Sequence, residues 1–219
     1  MHAAGPKQYL SLAGKPMLHH SIGCVAVPPV DTVFVVLAPD DKSFARHDWS
    51  DFDGKVEPLY CGGSTRRDSV LNGLVAAMDA VDANDWVLVH DAARPCLPRA
   101  DLDRLIAEAS GDEVGGLLAL PVAETVKRVE SDKEASGSGG LRVASTEDRS
   151  LLWLAQTPQM FRAGLLAEAL RKARGTVTDE ASAVEMLGLH PRIVTGSRRN
   201  LKVTFPEDIA IAESMLERP

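Results

Sequence analysis

The chain has 219 residues, is 45% hydrophobic and 25% charged, and carries a net charge of −7, which suits one domain, residues 1–219, with a sizeable core. No run approaches the roughly 18 apolar residues of a membrane helix, and no charged-then-apolar leader opens the chain; a cytoplasmic location with no membrane partner is expected. The acidic balance argues against nonspecific nucleic-acid binding and obliges any anion site to gather its cations locally.

In chain order, Thr32 to Pro39 is a near-continuous β-branched run, as expected of a strand covered on both faces. Val70, Leu71, Leu74, Val75 and Met78 recur at helical spacing after Gly62-Gly63-Ser64. Trp86 to Pro95 reads as a strand that breaks into charge at His90, and Leu102, Leu105, Ile106 and Ala109 mark the next helix. A further strand begins at Gly115. From Pro121 to Ser150, strand-like flanks (Val126, Val129, Leu141, Val143) surround a polar Gly/Ser-rich tip, Glu134 to Gly140. That pattern is either a disordered loop or a hairpin arm, and the apolar flanks favour a projecting β-arm over 121–150 that a second subunit would cover. Leu165, Leu166, Ala169 and Leu170 mark another helix. Thr178 with Asp179-Glu180 opens a helix that Gly188 closes. Pro191 to Gly196 and Asn200 to Thr204 read as short strands, and Thr204 with Glu207 as a capping box for the last helix. Strands alternating with helices predict an α/β fold with a largely parallel sheet.

Ligands of open α/β sheets bind beyond the carboxyl ends of the strands. There stand Asp91, suited to a divalent cation, and Arg94, suited to a phosphate; an Asp–Arg pair capping a turn is the alternative. Gly62 and Gly63 permit close backbone approach at a helix start, which is an anion or base site or an ordinary cap. Arg66 and Arg67 read as solvated or paired. Lys202 alternates with Leu201 and Val203 and so faces away from them, toward a ligand or toward water. Gly14-Lys15 is no Walker motif, because Tyr9 stands where its first glycine is required and Pro16 follows the lysine. Cys24, Cys61 and Cys96 are too few and too far apart for a disulfide framework or metal knuckle, and read as reduced small hydrophobes.

Taken together, "AAG", "PKQYL", "GKPML", "GGSTRRDSVLNGL", "VHDAARP", "PVAETVKRV", "DRSLLWLAQTPQMF", "TDEASAVE" and "NLKVTFPEDIAIAE" resemble, in this order and over nearly the whole chain, the 2-C-methyl-D-erythritol 4-phosphate cytidylyltransferase family of isoprenoid precursor biosynthesis. The resemblance implies a doubly wound, mostly parallel, Rossmann-like nucleotidyltransferase fold whose β-arm builds a homodimer. It implies transfer of a cytidylyl group from CTP to methylerythritol phosphate with Mg2+, giving 4-diphosphocytidyl-2-C-methyl-D-erythritol and pyrophosphate.

By motif, Lys7, Arg149 and Lys202 would be catalytic. Ala3, Ala4, Gly5, Gly62, Gly63, Ser69, Asp91 and Ala92 would bind CTP, with Asp91 also by the metal. Arg94, Thr125, Thr157 and Thr178 would bind the acceptor, and Thr125 and Arg149 would reach into the partner subunit's site. A cytidylyltransferase for another polyol phosphate, such as ribitol 5-phosphate, is the nearest alternative. Relatives place a glycine-rich loop with an arginine between "AAG" and "PKQ", and most of a strand before it; here Gly5 meets Pro6 directly. The expectation is that this segment has been omitted from the sequence. A true loss would point to a noncatalytic CTP-binding dimer.

Overall fold

The computed structural model describes residues 6–131 and 140–217. Ala3, Ala4, Gly5, the Gly5–Pro6 junction and all of the predicted arm tip except Gly140 lie outside the described residues.

A tight turn, Lys7–Tyr9, leads into the two-residue strands β1 (Ser11–Leu12) and β2 (Lys15–Pro16) and then α1 (Met17–Val25). There follow β3 (Val33–Val36), β4 (Val56–Leu59), α2 (Arg66–Ala76), β5 (Trp86–Val89), α3 (Arg99–Ala109) and β6 (Gly115–Pro121). A hairpin of β7 (Lys127–Ser131) and β8 (Leu141–Thr146) precedes β9 (Trp153–Arg162), α4 (Ala163–Lys172), α5 (Glu180–Glu185), β10 (Arg192–Thr195) and α6 (Glu207–Leu216).

The central sheet has the order β10-β6-β9-β5, and β3 and β4 form a separate parallel pair. β10 runs parallel to β6, whereas β9 is antiparallel to both β6 and β5. The sheet is therefore mixed. The reason lies in the arm: β6 ends at Pro121, directly opposite Trp153, where the chain returns as β9. A chain that leaves along one strand and comes back beside it must reverse direction.

Alternation along the strands builds a core on each face. Leu117 and Phe161 pack with Leu166, Leu170, Ala181 and Val184 beneath α4 and α5, joined by Val70, Leu71 and Leu74 of α2. Their chain neighbours Leu118 and Met160 face the other way, onto Leu102, Leu105 and Ala109 of α3 and Val25 of α1. Gly115, at φ +107°, opens β6 so close to β9 that a Cβ would stand 2.3 Å from the Met160 carbonyl oxygen. Only glycine fits there.

Two local expectations change. Asn200 to Thr204 forms no strand, because among the described residues it pairs with no strand ladder; it is an extended segment tied to the Asp91 loop by Val203 N donating to Ala93 O at 2.8 Å. Thr204 does not cap the last helix. Pro206 holds that position, while Asp208 Oδ2 accepts from the backbone N–H groups of Thr204 and Phe205. The helix after Thr178 is capped by Asp179 in a reciprocal pair with Ser182, and Gly188 follows it at φ +80°. The hairpin is present in its described part, with Val129, Leu141 and Val143 exposed. The three cysteines are free.

Leu118 is fully buried between β9, β10 and α3. Leu118→Ala should therefore cost about 3 kcal/mol of unfolding free energy, the usual cavity penalty, read by urea denaturation; a loss below about 1 kcal/mol would contradict this account of the core.

Candidate active site

β5 ends at Val89, and the next residues turn away from the sheet with Arg94 N donating to Asp91 O. The Asp91 carboxylate is 13% exposed and collects three cations. Arg66, from the first turn of α2, approaches Oδ1 through Nε at 3.1 Å and Nη2 at 3.0 Å. Lys202 Nζ stands 2.8 Å from Oδ2, and Arg94 Nε lies 3.8 Å from the same oxygen. The other side of the Arg66 guanidinium grips Glu180 of α5 through two bonds of 2.5 and 3.0 Å, and Glu180 is 1% exposed. A fork-to-fork pair of this kind fixes the arginine plane as well as its charge.

Lys202 is aimed by its neighbours. Val203 is buried with Leu12, Met17, Cys96 and Ala212, away from the hollow that Lys202 borders, as the alternation predicted; Leu201, expected on the face of Val203, borders the hollow beside Lys202 instead, because the segment is not a strand. Asn200 anchors the segment: its Nδ2 donates to Thr157 O at 2.7 Å, and its carbonyl accepts from Arg94 Nη1 at 2.7 Å. Arg94 and Lys202, together with Arg198, Gln156 and Asn200, line one hollow of about 340 Å³. Arg94 Nε is buried without a hydrogen-bond partner. Three cations and no carboxylate on one lining, with an unpartnered buried donor among them, suit an anion.

Behind Asp91, Thr157 Oγ1 accepts from the Asp91 backbone N–H at 3.0 Å and lies 3.1 Å from His90 Nδ1. His90 Nε2 faces the Arg94 carbonyl at 3.0 Å. Gln159 joins β9 to the cap of α5, its Nε2 donating to Asp179 at 2.8 Å and its Oε1 accepting from Ala181 N at 2.7 Å.

Burial alone would raise the Asp91 carboxyl, but Arg66 and Lys202 outweigh it and hold it below the usual carboxylate range. At Glu180 burial prevails over Arg66 and raises the carboxyl. Burial pushes the His90 imidazole down to about 4, and the Arg94 guanidinium adds to the shift.

The remaining predicted residues are spread around this centre. Gly62 N donates to Leu37 O at 2.8 Å at the end of β3, and a Cβ there would stand 2.8 Å from that oxygen. Gly63 N donates to Ser69 Oγ, which donates to Thr65 O, so Ser69 shapes the glycine loop from within. Ala92 O accepts from Ser21 of α1 at 2.7 Å. Thr178 is exposed beside the α5 cap, with its N–H on Ser182 Oγ. Lys7 lies near enough to α6 that its charge helps lower the Asp208 carboxyl, after the N–H groups of Phe205 and Thr204. Thr125 and Arg149 are exposed at the base of the arm and do not line the hollow. Arg66 and Arg67 are paired, the latter with Leu170 O.

Sequence reasoning missed Glu180, His90, Gln159, Asn200 and Arg198. For Glu180 the available signal was an acid one residue beyond a helix cap, and for Arg198 a basic pair just before Asn200.

The unfolded chain protonates His90 near 6.5, whereas the folded one resists until about 4. The unfolded state therefore binds more protons between these values, and stability falls as pH falls through that window. Urea denaturation should show a loss of about 3 kcal/mol from this group between pH 7 and pH 4. His90→Gln should flatten that part of the profile.

The 2-C-methyl-D-erythritol 4-phosphate cytidylyltransferase (IspD) family model matches residues 1–218. A 2-C-methyl-D-erythritol 4-phosphate cytidylyltransferase of Laribacter hongkongensis is 57% identical over 218 residues, 99% of this chain and 90% of the relative. One from Nitrosospira multiformis is 55% identical over 216 residues, 97% of this chain and 90% of the relative. Among solved structures, a 4-diphosphocytidyl-2C-methyl-D-erythritol synthase superposes with a TM-score of 0.83 at 43% identity, covering 96% of this chain and 95% of the other. The cytidylyltransferase of Thermus thermophilus does so with 0.76 at 29% identity, covering 98% and 96%. By sequence over its whole described length and by fold, the chain belongs to the 2-C-methyl-D-erythritol 4-phosphate cytidylyltransferase family.

Proposed function

We propose that the chain transfers the cytidylyl group of CTP to 2-C-methyl-D-erythritol 4-phosphate, releasing pyrophosphate, as the names of its relatives describe. The observation that carries this reading is the convergence of Arg94 and Lys202 on Asp91 and on one cation-lined hollow.

The acceptor's phosphate monoester has a second pKa near 6 and is mostly dianionic at neutral pH, so it attacks without a general base. His90 Nε2 is directed at a carbonyl and Nδ1 at a hydroxyl, which leaves the ring no role in proton transfer. The barrier is the approach of two polyanions in line, and fixed cations lower it. In this reading Arg94 holds the acceptor phosphate and Lys202 swings from Asp91 to the attacking oxygen. Lys7 neutralises charge that builds on the α-phosphate. Ala3, Ala4, Gly5, Gly62, Gly63, Ser69 and Ala92 pass their backbone or hydroxyl along the nucleotide, Thr157 closes the acceptor pocket from behind through its carbonyl, which holds Asn200, and Thr178 borders it.

Asp91 is the carboxylate that would hold Mg2+; one carboxylate beside substrate phosphates is the donor set this ion favours. Among the described residues no cluster of three or more acidic, His or Cys side chains could hold a metal, so most ligands would come from substrate and water. When bound, Mg2+ supplies neutralisation of the triphosphate charge.

The arm's apolar strands would be covered by a second copy of the chain, with Thr125 and Arg149 entering the partner's site. The separate β3–β4 pair and the four-stranded sheet are read as parts of one doubly wound sheet, and 1–219 as one domain with the arm, 121–150, inside it. Three free thiols suit the cytoplasm, and among the described residues no helix is long and apolar enough to cross a membrane.

Pyrophosphate release with CTP, Mg2+ and either methylerythritol phosphate or ribitol 5-phosphate tests the reading. Turnover with the first and not the second is expected. CTP binding without turnover would instead support a noncatalytic dimer, the reading to which a genuine loss of the glycine-rich loop would point. Lys7→Ala should lower turnover by about a hundredfold or more while acceptor affinity by calorimetry stays within about threefold. Equal losses in both would refute its proposed role.

A further inference from the structure

The loop that carries Asp91 and Arg94 is short, and the reaction proposed above needs both side chains in fixed places. Asp91 serves the nucleotide end and Arg94 the acceptor end. Backbone bonds hold its middle: Arg94 N donates to Asp91 O, Ser21 Oγ to Ala92 O and Val203 N to Ala93 O. One ring in addition spans it from end to end: His90 Nε2 lies 3.0 Å from the Arg94 carbonyl, and His90 Nδ1 lies 3.1 Å from Thr157 Oγ1. The same Thr157 oxygen accepts the Asp91 backbone N–H at 3.0 Å.

The donors and acceptors leave one arrangement. The Arg94 carbonyl can only accept, so Nε2 bears the hydrogen there. Nδ1 is then the accepting end and takes the Thr157 hydroxyl proton. The Thr157 oxygen thereby keeps a lone pair turned toward the Asp91 N–H. Thr157 is itself held, 4% exposed, by the Asn200 side chain on its carbonyl. Asn200 O accepts Arg94 Nη1 at 2.7 Å. The result is a closed ring of bonds through His90, Thr157, Asn200 and Arg94, with Asp91 attached at the hydroxyl.

We propose that His90 is a positioning residue for the cytidylyl transfer, tying the Asp91 end of the catalytic loop through Thr157 and the Arg94 end through the Arg94 carbonyl. The inference rests on the function proposed above. It assigns the two ring nitrogens to two different substrates: Nδ1 supports the site of CTP, and Nε2 supports the site of the acceptor phosphate.

Two variants separate the halves. In His90→Asn the side-chain amide reaches the place of Nδ1 and can still meet the Thr157 hydroxyl, but nothing replaces Nε2. In His90→Gln the amide reaches the place of Nε2 and can still donate to the Arg94 carbonyl, but nothing replaces Nδ1. His90→Asn should raise the KM for methylerythritol phosphate about tenfold and leave that for CTP within about twofold, the scale of one lost hydrogen bond. His90→Gln should do the reverse. Thr157→Val, which keeps the shape and removes the hydroxyl, should behave like His90→Gln and serves if a His90 variant fails to fold.

A merely structural histidine would lower the melting temperature without splitting the two constants. Equal shifts for both substrates, no shift, or a Thr157→Val enzyme that loses the acceptor and not CTP would overturn the proposal. Absence of cytidylyl transfer by the unaltered protein would instead refute the proposed function.

Discussion

Three cations stand around one carboxylate, and that arrangement conditions the rest of the site. Arg66, Arg94 and Lys202 would repel one another if brought together alone, in a chain whose overall charge gives them no other reason to gather. Asp91 offsets that repulsion from the end of β5. Glu180, almost fully buried on α5, takes the far side of Arg66 and so keeps one cation occupied with structure. Lys202, about half exposed, and Arg94, with an unpartnered Nε, are the two left facing the hollow.

The sheet explains why these residues meet. Ligand sites of open α/β sheets lie past the carboxyl ends of the strands, where loops are free to carry function. β5 delivers Asp91 there, and β9, running the other way, delivers Thr157 and Gln159 from its middle to the same edge. The reversal of β9 that breaks the parallel pattern is therefore also what places Thr157 under the Asp91 loop and Gln159 against the cap of α5. The arm and the site have a common origin in that excursion of the chain between Pro121 and Trp153.

Lys202 shows how little regular structure the site requires. It sits on an extended segment with one backbone bond to its neighbour loop, yet its direction is well determined. Val203 buried on one side and Asn200 bonded on the other fix the backbone, which presents Lys202 to Asp91. Position here comes from side-chain packing and polar anchors in place of a strand ladder.

The sequence alone determined the alternation of strands and helices, the opposite facing of Lys202 and Val203, the strand-end position of Asp91 and Arg94, and, through its motifs, the family. These are local or near-neighbour properties, set by periodicity, caps and residue chemistry within a few positions. Only the tertiary structure decided that β9 runs antiparallel, that Asn200 to Thr204 forms no strand, and that Pro206 and Asp208 start the last helix instead of Thr204. Only it brought Glu180 across 114 positions to Arg66, and Thr157 across 67 to His90. Buried polar groups must find partners wherever the fold supplies them, and no spacing rule along a chain records which distant group that will be.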